Sequence, residues 1–267
     1  MIRLVAAALL LFASSPPAAA QPLIAAHRGG AALWPENSLL AFRNALALGV
    51  DFLETDVHLT ADGEVVILHD PTLDRTTTGA GPVGERRLAD LAEVRLRAAD
   101  GTVTGDPVPT LVQLLDLLAP SRAKLLVEIK VDTARRPYAG IEEKVLALVR
   151  ARGLTARVLI MAFQPDTLRR VRALDTAIPT VLLINRARVE REGAAALVQE
   201  ARDVRASHLA IDHRAIDATA VAAARAAGLV LGAWTVNTES DLRRMIDQGI
   251  DILISDRPDL ARRLTGH

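Results

Sequence analysis

Phe52-Leu53-Glu54-Thr55-Asp56-Val57-His58-Leu59-Thr60-Ala61-Asp62-Gly63-Glu64-Val65-Val66-Ile67-Leu68-His69-Asp70 holds two strand-like runs joined by the four residues Ala61 to Glu64. Parallel strands need a crossover of roughly a dozen residues or more, so the second run must turn back antiparallel on the first. Asp62-Gly63 is a strong hairpin signal, and a two-residue loop there pairs Ala61 with Glu64 and sets Asp56 opposite His69. Glu54 and Asp56 lie two apart and share one strand face, with His58 further along it. Glu54, Asp56 and His69 therefore converge on one patch.

Outward from this stretch, short apolar runs alternate with Ala/Leu/Arg-rich segments of helical period, the pattern of βα units around a parallel sheet. Strands are predicted at Leu23–Ala26, Phe52–Val57, Leu125–Ile129, Val158–Phe163, Thr180–Ile184, His208–Ile211, Val230–Thr235 and Ile252–Ser255. Helices are predicted at Ser38–Leu48, Leu111–Leu118, Ile141–Arg152, Pro165–Leu174, Val189–Arg202, Asp217–Ala227, Glu239–Gln248 and Pro258–Leu264. Ser38 and Asp217 suit N-caps, and Gly49, Gly153, Gly228 and Gly249 suit positions just past helix ends. The strand count favours a closed (β/α)8 barrel of the α/β class over an open sheet. Pro71–Pro109 breaks the alternation. Its Pro, Gly and Thr content reads as an insertion folded over the barrel mouth, with a short helix at Leu88–Arg97, and long excursions of this kind commonly serve as lids or binding loops.

The amino terminus reads as a targeting segment. Arg3, the apolar run Leu4–Ala13, Ser14-Ser15-Pro16-Pro17 and Ala18-Ala19-Ala20 have the order of a secretory signal, with a cut expected after Ala20. The run is too short to span a bilayer, so no stable membrane anchor is expected. Residues 21–267 then form one barrel-sized domain in a periplasm or outside the cell. The chain has no cysteine, hence neither a lipidation site nor a disulfide framework. Basic and acidic residues balance at 32 each, and four Phe, two Trp and one Tyr offer little stacking, so nucleic acid is excluded as a partner. Arginine dominates the cations, lysine occurring only at 124, 130 and 144.

Polar groups collect at the carboxyl ends of the predicted strands. His27-Arg28-Gly29 follows the first, Glu54 and Asp56 end the second, Glu128-Ile129-Lys130 the third, Phe163 the fourth, Trp234-Thr235-Val236-Asn237 the seventh and Ser255-Asp256 the eighth. In a parallel barrel that rim is the active face. Two histidines among carboxylates there are the equipment for hydrolysing a phosphodiester on a metal ion.

The sequence resembles the glycerophosphodiester phosphodiesterase family. The matching motifs are His27-Arg28-Gly29-Gly30, Pro35-Glu36-Asn37-Ser38, Glu54-Thr55-Asp56-Val57, Leu59-Thr60-Ala61-Asp62-Gly63, His69-Asp70, Leu73-Asp74-Arg75-Thr76-Thr77, Pro109-Thr110-Leu111, Glu128-Ile129-Lys130, Trp234-Thr235-Val236-Asn237 and Asp256-Arg257-Pro258, in the family's order. The resemblance implies a TIM barrel with a small insertion after the His-Asp motif. It also implies that Glu54, Asp56 and Glu128 ligate one divalent cation, which their hard oxygens suit to Ca2+ or Mg2+. An internal ion pair among Glu128, Lys130 and Asp56 is the plainer alternative.

By the same resemblance Arg28 and Lys130 hold phosphate oxygens, and His27 and His69 are the general base and acid. Phe163 and Trp234 are expected to wall the glycerol or alcohol moiety, with core packing as the competing explanation. Glu36 and Asn37 either organise the rim beside His27 or shape their loop and cap the next helix. His58, His208, His213 and His267 are expected at the surface or behind the site. The activity implied is metal-dependent hydrolysis of small glycerophosphodiesters to sn-glycerol 3-phosphate and an alcohol. Either a glycerol hydroxyl attacks phosphorus to give a cyclic phosphate that water later opens, or water attacks directly. Alternatives are cleavage of lysophospholipids or another phosphodiester, and a non-catalytic periplasmic phosphodiester-binding protein.

Overall fold

A computed structural model describes residues 21–266. The signal segment expected before Gln21, and His267, lie outside the described residues. β1 (Leu23–Ala26) and β2 (Phe52–Leu59) are followed by a short β3 (Val65–Ile67) and a hairpin of β4 (Arg95–Arg97) and β5 (Val103–Pro107). Next come β6 (Lys124–Ile129), β7 (Val158–Ala162), β8 (Thr180–Ile184), β9 (His208–Asp212), β10 (Val230–Trp234) and β11 (Ile252–Ser255). β1, β2 and β6 to β11 pair in parallel, and β1 joins both β2 and β11, so the sheet closes into an eight-stranded barrel. Helices α1 (Leu39–Leu48), α2 (Leu111–Leu118), α3 (Ile141–Ala151), α4 (Pro165–Leu174), α5 (Arg186–Glu192), α6 (Ala194–Asp203), α7 (Ala218–Ala226), α8 (Glu239–Asp247) and α9 (Pro258–Thr265) complete the (β/α)8 TIM barrel.

The strands read as apolar runs because both faces are covered. Ala25, Phe52, Leu126, Met161, Leu183 and Ile254 fill the barrel interior at alternate positions, while Ile24, Leu53, Leu125 and Ile160 face the helices. α2 shows how a helix meets that outer face: Leu111, Leu114, Leu115 and Leu118 recur at helical spacing and are all buried. Ser38 Oγ accepts from Ala41 N, Asp217 caps α7 through Ala220 N, and Gly49 ends α1 with φ +83°.

Three expectations change. The β2–β3 hairpin pairs Val57 with Ile67 and Leu59 with Val65, one residue off the predicted register. Thr60 N donates to Glu64 O and Gly63 adopts φ +81°, so the loop is the three-residue form ending in a left-handed glycine. Asp56 O consequently accepts from Leu68 N, and Asp56 does not lie opposite His69, which follows the end of β3. The helix predicted at Val189–Arg202 is two helices that break at Gly193 (φ +79°, ψ 150°), outside helical space.

The third change concerns the insertion. Leu88–Leu91 is a single 3-10 turn, and Arg95–Arg97 is a strand. Tertiary pairing overrides local propensity here, since Thr78 N donates to Arg95 O and Arg97 N to Thr76 O. The insertion has its own small core, in which Leu73, Val83, Leu91 and Leu96 pack on Val66 and Leu68. At the barrel mouth, Pro71 lines the groove beside His69 and Arg75 bonds Asp70 and Glu36.

His208, at the amino end of β9, bonds through Nδ1 to Ser207 Oγ at 2.8 Å. Burial, aided by Lys124, brings its imidazole down to about 4, so the ring is neutral when folded. Its stabilising contribution is complete above the unfolded value near 6.5 and is lost as pH falls toward about 4. Denaturant midpoints of the wild type and His208→Gln should therefore converge, or cross, between these pH values. Parallel pH profiles would show that His208 is not the group responsible.

Candidate active site

β1 ends in a tight turn, His27–Gly29, in which Arg28 takes the left-handed conformation (φ 51°, ψ 31°). Non-glycine residues adopt it at a cost of roughly 1–2 kcal/mol, and such strain concentrates at functional sites. It aims Arg28 N at Glu54 Oε2, 2.8 Å away. Gly29 (φ +82°) is required for a second reason: a Cβ there would come within 2.8 Å of Ala41 Cβ.

Glu54 and Asp56 point inward from β2, and the β2–β6 register places Asp56 beside Glu128. Each of the three offers an oxygen within 4.8 Å of the other two, and all three are buried. Lys130 Nζ lies 2.8 Å from Glu128 Oε1 and 3.0 Å from Asp56 Oδ1. Asn37 Nδ2 donates to Asp56 Oδ2 at 2.8 Å, and Arg28 Nε stands 3.6 Å from the same oxygen. Burial and repulsion from Asp56 raise the Glu54 carboxyl, and burial raises Glu128 against the pull of Lys130. Burial would raise Asp56 too, but Lys130, His69 and Arg28 outweigh it and hold it far below the carboxylate range.

Two buried polar atoms in this cluster make no hydrogen bond, Asp56 Oδ1 and Arg28 Nε. The Lys130 contact to Asp56 Oδ1 is thus an ion pair without hydrogen-bond alignment. Three convergent carboxylates with an unsatisfied oxygen fit a hard divalent cation, and an unsatisfied guanidinium N–H beside them fits an anion. Lys130 and Arg28 together bring two cations to three carboxylates, which leaves one negative charge unmatched and weighs against the pure ion-pair alternative.

The two rim histidines are held by different carboxylates. His27 Nδ1 lies 2.6 Å from Asp256 Oδ1, and its Nε2 is 4.0 Å from Glu54 Oε2. Asn37 has a counterpart in Asn237, whose Nδ2 donates to Asp256 Oδ2 at 2.6 Å while its Oδ1 accepts from Asp256 N. His69 Nδ1 lies 2.7 Å from Asp70 Oδ1. Arg75 grips Asp70 and Glu36 with two hydrogen bonds each, and Glu36 in turn accepts from Arg28. Burial lowers both imidazoles, yet Glu54 and Asp256 more than offset it at His27, whose pKa is raised, while His69 stays lowered.

One cavity joins these groups. His27, Arg28, Glu54, His69, Glu128 and Lys130 form its polar side, and Met161, Phe163, Leu183, Trp234 and Ile254 its apolar side. Phe163 and Trp234 meet edge to face with centroids 5.6 Å apart. Every residue expected at the site is at this rim. Glu36 joins Arg28 to Arg75, and Asn37 bridges Asp56 Oδ2 and Thr55 Oγ1, while the cap of α1 belongs to Ser38. Asn237 and Asp256, already placed on the rim by their positions after strand ends, brace His27, whereas Asp70 and Arg75 carry no sequence signal beyond motif membership that points to their hold on His69. His58 is fully buried behind the site, its Nε2 on His69 O and its Nδ1 on Tyr138 Oη. No helix among the described residues is long and apolar enough to cross a membrane.

The glycerophosphoryl diester phosphodiesterase family model matches residues 27–260. A glycerophosphodiester phosphodiesterase of Caldanaerobacter subterraneus is 33% identical over 238 residues, covering 89% of this chain and 95% of its own. One from Bacillus subtilis is 32% identical, with 91% and 86% covered. A phosphodiesterase structure from Oleispira antarctica, solved with the product sn-glycerol 3-phosphate, superposes with a TM-score of 0.77 at 26% identity over 92% of this chain and 98% of that one.

Because Asp256 helps to raise His27, Asp256→Asn should lower the His27 imidazole pKa in metal-free protein. NMR titration of the ring protons reads this directly. An unshifted or higher value would remove Asp256 as the partner that keeps His27 basic.

Proposed function

We propose that this chain, which belongs to the glycerophosphoryl diester phosphodiesterase family and is an enzyme of that activity, works as a metal-dependent hydrolase with His27 and His69 as its proton carriers. The observation that supports this most is the pairing of unsatisfied groups in the buried cluster: an anionic oxygen on Asp56 next to a cationic N–H on Arg28. A cation and a phosphate would satisfy both at once. A divalent ion held by Glu54, Asp56 and Glu128 would supply Lewis-acid polarisation of a phosphate oxygen, and hard-oxygen donors favour Ca2+ or Mg2+.

The chain's own groups do the rest. Arg28 Nε and Lys130 Nζ bind the remaining phosphate oxygens and fix the diester for in-line attack. Phe163 and Trp234 exclude water from one arm of the substrate. His27, made basic by Glu54 and Asp256, takes the proton of the attacking hydroxyl; His69, oriented by Asp70, returns one to the departing alkoxide. If a glycerol hydroxyl attacks first, the two imidazoles exchange roles when water opens the cyclic phosphate. The products are sn-glycerol 3-phosphate and an alcohol, and the amino-terminal segment directs this chemistry to a periplasm or beyond the cell. A paired acid and base has no purpose in a protein that only binds phosphodiesters.

Two measurements test this reading. Chelation should abolish turnover of glycerophosphocholine and glycerophosphoethanolamine, Ca2+ or Mg2+ should restore it, and Glu54→Gln should lower metal affinity and turnover together. Full activity of rigorously metal-free protein would end the metal-dependent mechanism. His27→Ala and His69→Ala should each lose about 100-fold or more in kcat, with metal affinity near wild type by calorimetry. If either variant loses the metal, that histidine is a ligand.

A further inference from the structure

A phosphodiester has two arms, and two hollows meet where its phosphate would sit. The cavity bearing His27 and Trp234 is the more enclosed. The other is a more open groove that shares His69, Glu128, Lys130 and Phe163 with it and runs outward past Pro71 to Thr133, Arg135 and Gln164. His69 is common to both hollows and His27 is not. A proton donor standing at that boundary serves a leaving oxygen whose carbon lies in the groove, so the groove receives the departing alcohol and the enclosed cavity the glycerol arm. This assignment rests on the hydrolase reading above.

The groove's chemistry limits which alcohol it takes. A quaternary or primary ammonium group is recognised by a free carboxylate or by several aromatic faces. Each carboxylate here is already engaged: Glu128 by Lys130, Asp70 by His69 and Arg75, and Asp132 by Arg136 and the backbone N–H groups of Ala134 and Arg136. Among the described residues, Phe163 is the one Phe, Tyr or Trp that lines it. By contrast, the Thr133 hydroxyl, the Gln164 amide and the Arg135 guanidinium have no side-chain hydrogen bond or ion pair among the described residues.

Thr133 and Arg135 are displayed on a braced loop, and Gln164 stands apart from it as the N-cap residue of α4. Asp132 Oδ1 accepts from the backbone of Ala134 and Arg136, Arg135 N donates to Asp132 O, and Val131 bridges to Pro137. Arg135 stands at the loop's apex in the left-handed conformation (φ 60°). Neutral donors and one cation, held in place and without internal partners, match vicinal hydroxyls.

We infer that the groove between Pro71 and the Val131–Arg135 loop is the leaving-alcohol subsite, and that it selects polyols over cationic amino alcohols through Thr133, Arg135 and Gln164. The insertion beyond Arg75 takes no part in this choice, because none of residues 76–109 lines either hollow.

The test compares kcat/KM for glycerophosphoinositol, glycerophosphoglycerol, glycerophosphocholine and glycerophosphoethanolamine, with divalent cation supplied, in the wild type, Arg135→Gln, Arg135→Lys and Thr133→Val/Gln164→Ala. The wild type should favour the inositol and glycerol diesters. Arg135→Gln and the double variant should each reduce the polyol-to-choline ratio by about 10-fold, the worth of one or two hydrogen bonds, chiefly through KM, with Arg135→Lys partly restoring it. All three variants change side chains at the groove, two of them on an exposed loop, so matching thermal midpoints should show that they fold. A wild type that favours choline, or variants that slow all four diesters equally, would overturn the subsite and leave the hydrolase reading intact. A wild type that cleaves none of the four would overturn both.

Discussion

Three carboxylates buried within 4.8 Å of one another set the terms for everything around them. At an effective dielectric of about 20, two full charges at such a distance repel by roughly 3–4 kcal/mol, and three pairs approach the ~5–15 kcal/mol that holds a whole domain folded. The fold cannot leave that repulsion bare. Lys130 and the Arg28 side chain supply opposing charge, Asn37 and the Arg28 backbone neutral donors, and the carboxyls of Glu54 and Glu128 are raised by burial and mutual repulsion where cations fall short. Such a cluster is chemically compatible with a divalent cation, whose charge would relieve the repulsion.

The barrel makes the cluster possible by fixing register. Pairing of Asp56 with Glu128 and of Val57 with Ile129 leaves the two acidic strands no freedom to slide apart. Period-two alternation then turns Glu54, Asp56, Glu128 and Lys130 toward the axis, while Leu53, Val127 and Ile129 anchor the same strands in the helix layer. Slippage by one residue would bury the charges among leucines and expose leucines at the rim.

Around this centre the polar rim divides into two braces. Asp256 and Asn237, from the ends of β10 and β11, hold His27. Asp70, Arg75 and Glu36 form a chain that runs from His69 to Arg28, tying the two side chains into one network. Side chains locked by partners of this kind lose little further freedom when substrate arrives, which is where much of an enzyme's advantage over free solution originates. The environments also pull the two imidazoles apart in basicity, the usual condition for dividing acid and base duties between like residues.

Sequence alone determined the eight barrel strands and the rim on which His27, Glu54, Asp56, Glu128 and Lys130 meet, because these follow from local periodicity and from the rule that parallel strands deliver their carboxyl ends to one face. It did not determine the hairpin register beside Asp56, where a three-residue and a two-residue loop share the same Asp-Gly signal and only packing of Val66 and Leu68 on the insertion separates them. Nor could it separate the strand at Arg95–Arg97 from a helix, since the partners that decide it, Thr76 and Thr78, are about twenty residues away. The braces on the histidines and the partnerless donors of the groove were likewise decided by tertiary structure. Each depends on side chains from distant strands and loops reaching within about 3 Å of one another, or failing to. Periodicity carries which face a residue takes; it carries no information on which partner that face will meet.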